Sequence, residues 1–164
     1  MNNDLIPECY SETTLLHILG FPNVNHQLGK PLVASFLKKQ FQNRFAIAII
    51  DKDKAKKRRI PNYIKPAQTQ KEENGLILQK IPNKQHYLIV VNPVFETWIW
   101  EAAKEVAVDP AQFKFDSFER FLQTKLEKIA QNQNFKNFLN TLKQKNSPRL
   151  QTLVSWITEL RKTQ

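Results

Sequence analysis

The segment that leaves the fewest options is Arg44-Phe-Ala-Ile-Ala-Ile-Ile-Asp-Lys-Asp-Lys54. From 45 to 50 it is apolar without interruption, and three of those six positions are isoleucine. A continuous β-branched run of this kind fits a strand covered on both faces, as in the middle of a parallel sheet. It stops abruptly at Asp51-Lys52-Asp53. In open α/β sheets the carboxyl ends of the strands collect ligands and chemistry. Two carboxylates one residue apart at such an end form a candidate site for a hard divalent cation such as magnesium. Taken alone, the pair also reads as the start of a solvated turn.

The flanking chain supplies partners for this strand. Asp4-Leu-Ile-Pro-Glu8 reads as a first strand, with Pro7 at its end or on an edge because it has no backbone donor. Ser11 is the expected cap of a helix over 12–19, with Leu15, Leu16 and Leu19 inward and Gly20 as its stop. Residues 24–26 read as a short second strand. A second helix is expected over 31–43, opened by Pro31, with Leu32, Phe36, Leu37 and Phe41 on one stripe. Strand, helix, short strand, helix, strand implies parallel pairing through right-handed crossovers.

Residues 52–74 are polar and read as a long loop. Strands are expected over 76–81 and 87–91, joined by Pro-Asn-Lys-Gln. A helix over 94–106 follows, striped by Phe95, Trp98, Ile99 and Ala102. Beyond Asp109-Pro110 the character changes to three helices, over 116–131, 133–145 and 148–162. The fold class is therefore α/β: a mostly parallel sheet flanked by helices over 1–110, with a helical extension over 111–164 packed on it.

Length and composition agree with one ordinary domain, since 164 residues can enclose a single core. No apolar run is long enough for a transmembrane helix, and Met-Asn-Asn-Asp lacks the flank and core of a signal peptide. Cys9 is the single cysteine, which excludes a disulfide framework and leads us to expect a reducing cytoplasm. The formal net charge is +10 and the isoelectric point about 9.8. Nucleic acid, DNA or RNA, is the commonest partner of such a surface, and a membrane partner is not expected. Lys52, Lys54, Lys56, Lys57, Arg58 and Arg59 are its densest stretch and the candidate nucleic-acid contacts.

In the expected topology Glu8 ends the first strand, and Asp51 and Asp53 end the central one. Neighbouring strands lie about 4.8 Å apart, so groups at their ends can share one ion. Clustered carboxylates repel unless positive charge lies between them. A metal supplies that charge; the basic residues just downstream are the alternative source. Glu96 opens the helix after 87–91, and both Glu96 and Glu12 are either further ligands or first-turn acids favoured by the helix dipole. The histidines show no ligand spacing. His17 reads as a surface or partly buried ring on a helix, His26 as structural and His86, at a strand start, as exposed. Cys9 and Ser11 have no base beside them, and no phosphate-binding GxxxxGK[ST] loop occurs.

Glu8-Cys-Tyr-Ser-Glu12-Thr-Thr-Leu-Leu16, followed by the apolar strand into Asp51-Lys-Asp53, resembles the Toprim domain. Topoisomerases, bacterial primases and nucleases of the overcoming-lysogenization-defect type share that domain. The resemblance covers roughly 3–108 and implies that Glu8, Asp51 and Asp53 bind magnesium, with manganese as a substitute, and carry phosphodiester chemistry. Glu96 is a further metal candidate. Two positions depart from the pattern: Cys9 where the family usually has Gly, and Glu12 where Asp is common. The expected function is that of a small stand-alone nuclease, a metal-dependent hydrolase. The alternative is an inactive Toprim-like module that binds nucleic acid or a separately encoded ATPase.

Overall fold

The structure is a computed structural model that describes residues 3–52, 60–124 and 128–164. It is an α/β fold built on one five-stranded sheet. The strands are β1 (Leu5–Pro7), β2 (Ala46–Asp51), β3 (Gln68–Glu73), β4 (Leu76–Lys80) and β5 (His86–Val91), in the order β1-β2-β5-β4-β3. β1, β2 and β5 run parallel, with Leu5 opposite Ile47 and Ile49 opposite Ile89. β4 and β3 are antiparallel to their neighbours.

β2 lies between β1 and β5, and alternate side chains enter two separate cores, as a two-residue period requires. Ile47 and Ile49 join one core with Leu5, Ile89 and Val91. Ala46, Ala48 and Ile50 join the other with Ile6, Leu88 and Val90. Both faces being dry explains the uninterrupted apolar run.

Helices α1 (Tyr10–Leu19) and α3 (Phe95–Glu105) cover the first face, together with α5 (Gln133–Gln144) and α6 (Pro148–Lys162). Phe135, Phe138, Leu139 and Trp156 from the last two helices belong to the same continuous core as the sheet. Asp4 beside β1 also accepts a two-pronged ion pair from Arg161 near the end of α6, at 2.5 and 2.9 Å. Helix α2 (Lys30–Phe36) and the wider π-helical turn Leu37–Phe41 cover the second face with Val33, Ala34 and Leu37, joined by Ile64. α4 (Phe118–Thr124) packs Phe121 against Phe115, Phe135 and Phe138. Among the described residues no helix is long and apolar enough to cross a membrane.

The structure departs from the sequence reading in several places. The sheet is mixed rather than mostly parallel, because β3 and β4 form a hairpin added to the parallel core. β3 lies inside the expected loop over 52–74. All six of its residues are exposed, so it has no apolar alternation; it pairs with β4 through the backbone ladder and one side-chain bond, Gln79 Nε2 donating to Thr69 Oγ1 at 3.4 Å. The signal for it is the turn. Asn74 and Gly75 both have positive φ, at 48° and 71°, the pairing a two-residue hairpin loop needs. Gly75 is further fixed by crowding, since a Cβ there would lie 2.8 Å from Trp98 Cδ1.

Residues 24–26 make a single bridge, Val24 to Leu5, and no full strand. The amides of Asn25 and of the following Gln27 nevertheless donate to the carbonyls of Leu5 and Pro7, covering the outer edge of β1. Cys9, not Ser11, precedes the first turn of α1. The helix expected over 116–131 ends by Lys128, whose ψ of 74° is not helical.

Candidate functional site

β1 and β2 deliver Glu8 and Asp51 to the same end of the sheet. The Glu8 amide donates to Ile49 O at 3.0 Å, which extends the β1–β2 ladder by one residue. Its carboxylate Oε2 accepts the Asp51 amide, also at 3.0 Å. Asp51 in turn accepts the amide of Phe95, the first residue of α3, on Oδ1 at 2.7 Å. A carboxylate at a helix N-terminus is favoured both by the unsatisfied amide and by the dipole. Two residues 43 apart in the chain are thus joined directly.

Glu12 completes the acidic group. It is buried in the first turn of α1, and its Oε2 accepts the amides of Glu8 at 2.7 Å and Cys9 at 3.0 Å. Its Oε1 is buried with no hydrogen-bond partner among the described residues. Burial, then the charges of Asp51 and Glu8, hold the Glu12 carboxyl protonated well above the usual range. Burial likewise pushes the Cys9 thiol up, with Glu12 adding to it, which disfavours the thiolate.

Glu12 therefore couples this site to stability. An unfolded glutamate titrates near ~4.3. With the folded value raised, its share of stability is fully present below that pH and is lost as pH rises through the folded value. Glu12→Gln keeps an acceptor for both amides and has no charge to bury. Its stability relative to the native chain is expected to rise with pH across that window, by up to about 1.4 kcal/mol per unit. Urea melts over a series of pH values check this; a pH-independent difference contradicts it.

Glu96 is buried in the first turn of α3, next to the amide that Asp51 accepts. Lys52 is exposed, with its amide donating to Val91 O at 2.8 Å. Asp53, Lys54, Lys56, Lys57, Arg58 and Arg59 lie outside the described residues. Lys30, which sequence reasoning passed over, is the buried first residue of α2. The amide of the preceding Gly29 donates to Glu8 O at 3.1 Å, tying this loop to the acidic group. The local signal is Gly29-Lys30-Pro31, a basic residue at a helix start opened by proline.

His17 is exposed on α1, whereas His26 and His86 each pack against a neighbouring side chain. His26 stacks on Tyr10 with ring centroids 4.1 Å apart, and its Nδ1 lies 3.0 Å from Thr13 Oγ1. The Thr13 hydroxyl donates its one proton to Cys9 O, so His26 Nδ1 carries the hydrogen in the second bond. His86, expected to be exposed, is fully buried with Nδ1 2.8 Å from the Tyr63 hydroxyl. The segment around Tyr63 covers the amino end of β5, a tertiary effect with no local signature.

In donor chemistry Glu8 and Asp51 fit a hard divalent cation, since both supply carboxylate oxygens. Among the described residues no group of three or more His, Cys, Asp or Glu side chains is arranged to hold a metal. In their present positions Glu8 and Asp51 each commit an oxygen to a backbone amide. Comparison with protein-family models, with curated proteins and with solved structures finds no match to this chain.

Proposed function

We propose that this chain is a small Toprim-like protein that carries out magnesium-dependent phosphodiester chemistry on nucleic acid, of the nuclease type. The supporting observation is the direct junction of Glu8 and Asp51 at the ends of adjacent parallel strands, with Glu12 buried against their charge. Glu8, Asp51 and Asp53 hold the cation in this reading, with Glu96 as a further candidate ligand. When bound, magnesium or manganese stabilises charge on the phosphoryl oxygens and lowers the pKa of an attacking water. Lys52 and the basic run through Arg59 hold the nucleic-acid backbone, so affinity falls steeply with salt.

One observation favours the second reading, a catalytically silent module that grips nucleic acid or a partner ATPase. The Glu8, Asp51 and Glu12 carboxylates each accept a backbone amide, which is also what a purely architectural acid does.

The test is incubation of supercoiled plasmid and of single-stranded RNA with the chain in magnesium or manganese. The expected result is nicking or cleavage that a chelator stops. Intact substrates under both metals, alongside a salt-sensitive gel shift, would replace hydrolysis with the binding module. Intact substrates and no shift at low salt would remove nucleic acid from the account.

A further inference from the structure

Exposed apolar side chains gather near Glu8. Among the described residues five large hydrophobic side chains are exposed, and three of them, Tyr10, Leu28 and Leu32, belong to two segments that meet at this residue. Tyr10 opens α1 two positions after Glu8. Leu28 and Leu32 lie on either side of Gly29, whose amide donates to Glu8 O at 3.1 Å. A single exposed leucine needs no explanation, but a group of apolar side chains beside a candidate site marks a binding surface.

The Tyr10 ring is also held in place. It stacks on His26 with centroids 4.1 Å apart and planes 22° apart. His26 is fixed in turn, with Nδ1 3.0 Å from Thr13 Oγ1. The segment carrying His26 is laced to β1, since the Asn25 and Gln27 amides donate to Leu5 O at 2.8 Å and Pro7 O at 3.0 Å. One face of the ring is therefore covered, yet Tyr10 as a whole remains 53% exposed.

We propose that Tyr10 is a stacking platform for an unpaired base, which makes the partner at this end of the sheet a single-stranded nucleic acid. The inference rests on the nucleic-acid reading above and names the form of that partner. Every base has a π-face, so an aromatic ring accepts any sequence, but only where the base is unpaired or splayed out. A ring already set by His26 has little side-chain freedom left to lose, so more of the stacking energy appears as affinity. Leu28 and Leu32 add apolar surface on the neighbouring segment. The net charge of +10 attracts any polyanion, duplex or single strand, and the ring supplies the preference between them. A protein partner would use the same leucines without calling on that charge.

The experiment follows the anisotropy of short labelled thymidine and uridine single strands, and of a duplex of equal length, against the full chain at low salt with chelator present. Without divalent metal the proposed hydrolysis does not run, so the result is independent of the cleavage assay. Tyr10→Ala is expected to weaken single-strand binding about five- to a hundredfold, the scale of one base stacked on an aromatic ring, and to leave duplex binding within about twofold. Tyr10→Trp is expected to keep single-strand affinity. Tyr10→Leu retains bulk without a π-face and is expected to behave like Tyr10→Ala; it decides alone if the alanine variant does not fold. Unchanged single-strand affinity in the folded variants overturns the platform and leaves the patch to a protein partner, with the nucleic-acid reading intact. Equal losses for single strand and duplex overturn it as well, because paired bases cannot stack there. No nucleic acid bound by the native chain removes the platform and the parent reading together. Tyr10-dependent strand binding without any cleavage keeps the platform and leaves the binding module as the function.

Discussion

Asp51→Asn is expected to lower magnesium-dependent cleavage by about a hundred- to a thousandfold, the range seen when one preorganised charge-stabilising group is lost. The same variant is expected to fold nearly as well as the native chain. Its carbonyl oxygen can still accept the Phe95 amide that Asp51 accepts at 2.7 Å. Losing the negative charge also relieves Glu12, whose carboxyl Asp51 helps to keep protonated. Asp51→Ala separates the two roles from the other side. It removes charge and acceptor together, so the cleavage loss is accompanied by about 1 kcal/mol of lost stability at the start of α3. Cleavage assays and urea melts on both variants check the pair. A cap-only role predicts a different pattern, with Asp51→Asn active and Asp51→Ala defective only as far as it unfolds.

The largest expected stability effect lies away from the acidic group, at Trp98. Its ring is 1% exposed and sits over the β3–β4 turn, close against Gly75. Its indole Nε1–H donates to Asn74 O at 2.8 Å. The same turn is held to α6 by Asn74 Nδ2 donating to Thr152 Oγ1 at 2.9 Å. Trp98→Ala leaves a cavity where α3, α6 and the hairpin meet, a loss of about 3–5 kcal/mol for a buried aromatic. Trp98→Phe keeps most of the packing and loses the hydrogen bond, about 1 kcal/mol. Denaturant melts check the magnitudes, and amide exchange checks the location: β3 and β4 should lose protection before β1 and β2. Trp98→Ala melting within about 1 kcal/mol of the native chain would contradict this packing account.

What could be read from the sequence follows burial. β2 and β5 are legible because both faces are dry, so their apolar runs are continuous. α3 is legible from the spacing of Phe95, Trp98, Ile99 and Ala102, all of which are buried. β3 is not, because six exposed polar residues leave no pattern and only Asn74-Gly75 marks the hairpin. Its presence turns a mostly parallel expectation into a mixed sheet.

The acidic site divides in the same way. Glu8 and Asp51 follow from strand ends, which sequence can locate. The protonated state of Glu12 depends on its being 2% exposed beside two charges, which no spacing rule gives. Lys30 is recognisable only once Gly29 is seen bonded to Glu8.

The most direct test is a manganese titration of the native chain and of the Glu8→Gln, Asp51→Asn double variant, followed by calorimetry or by the electron-spin signal of the ion. Saturable uptake by the native chain, with affinity reduced at least about tenfold in a variant that still folds, is the result expected of a cation held between those carboxylates. Equal uptake by both proteins, or none by either, would mean that Glu8 and Asp51 meet only to tie β1, β2 and α3 together.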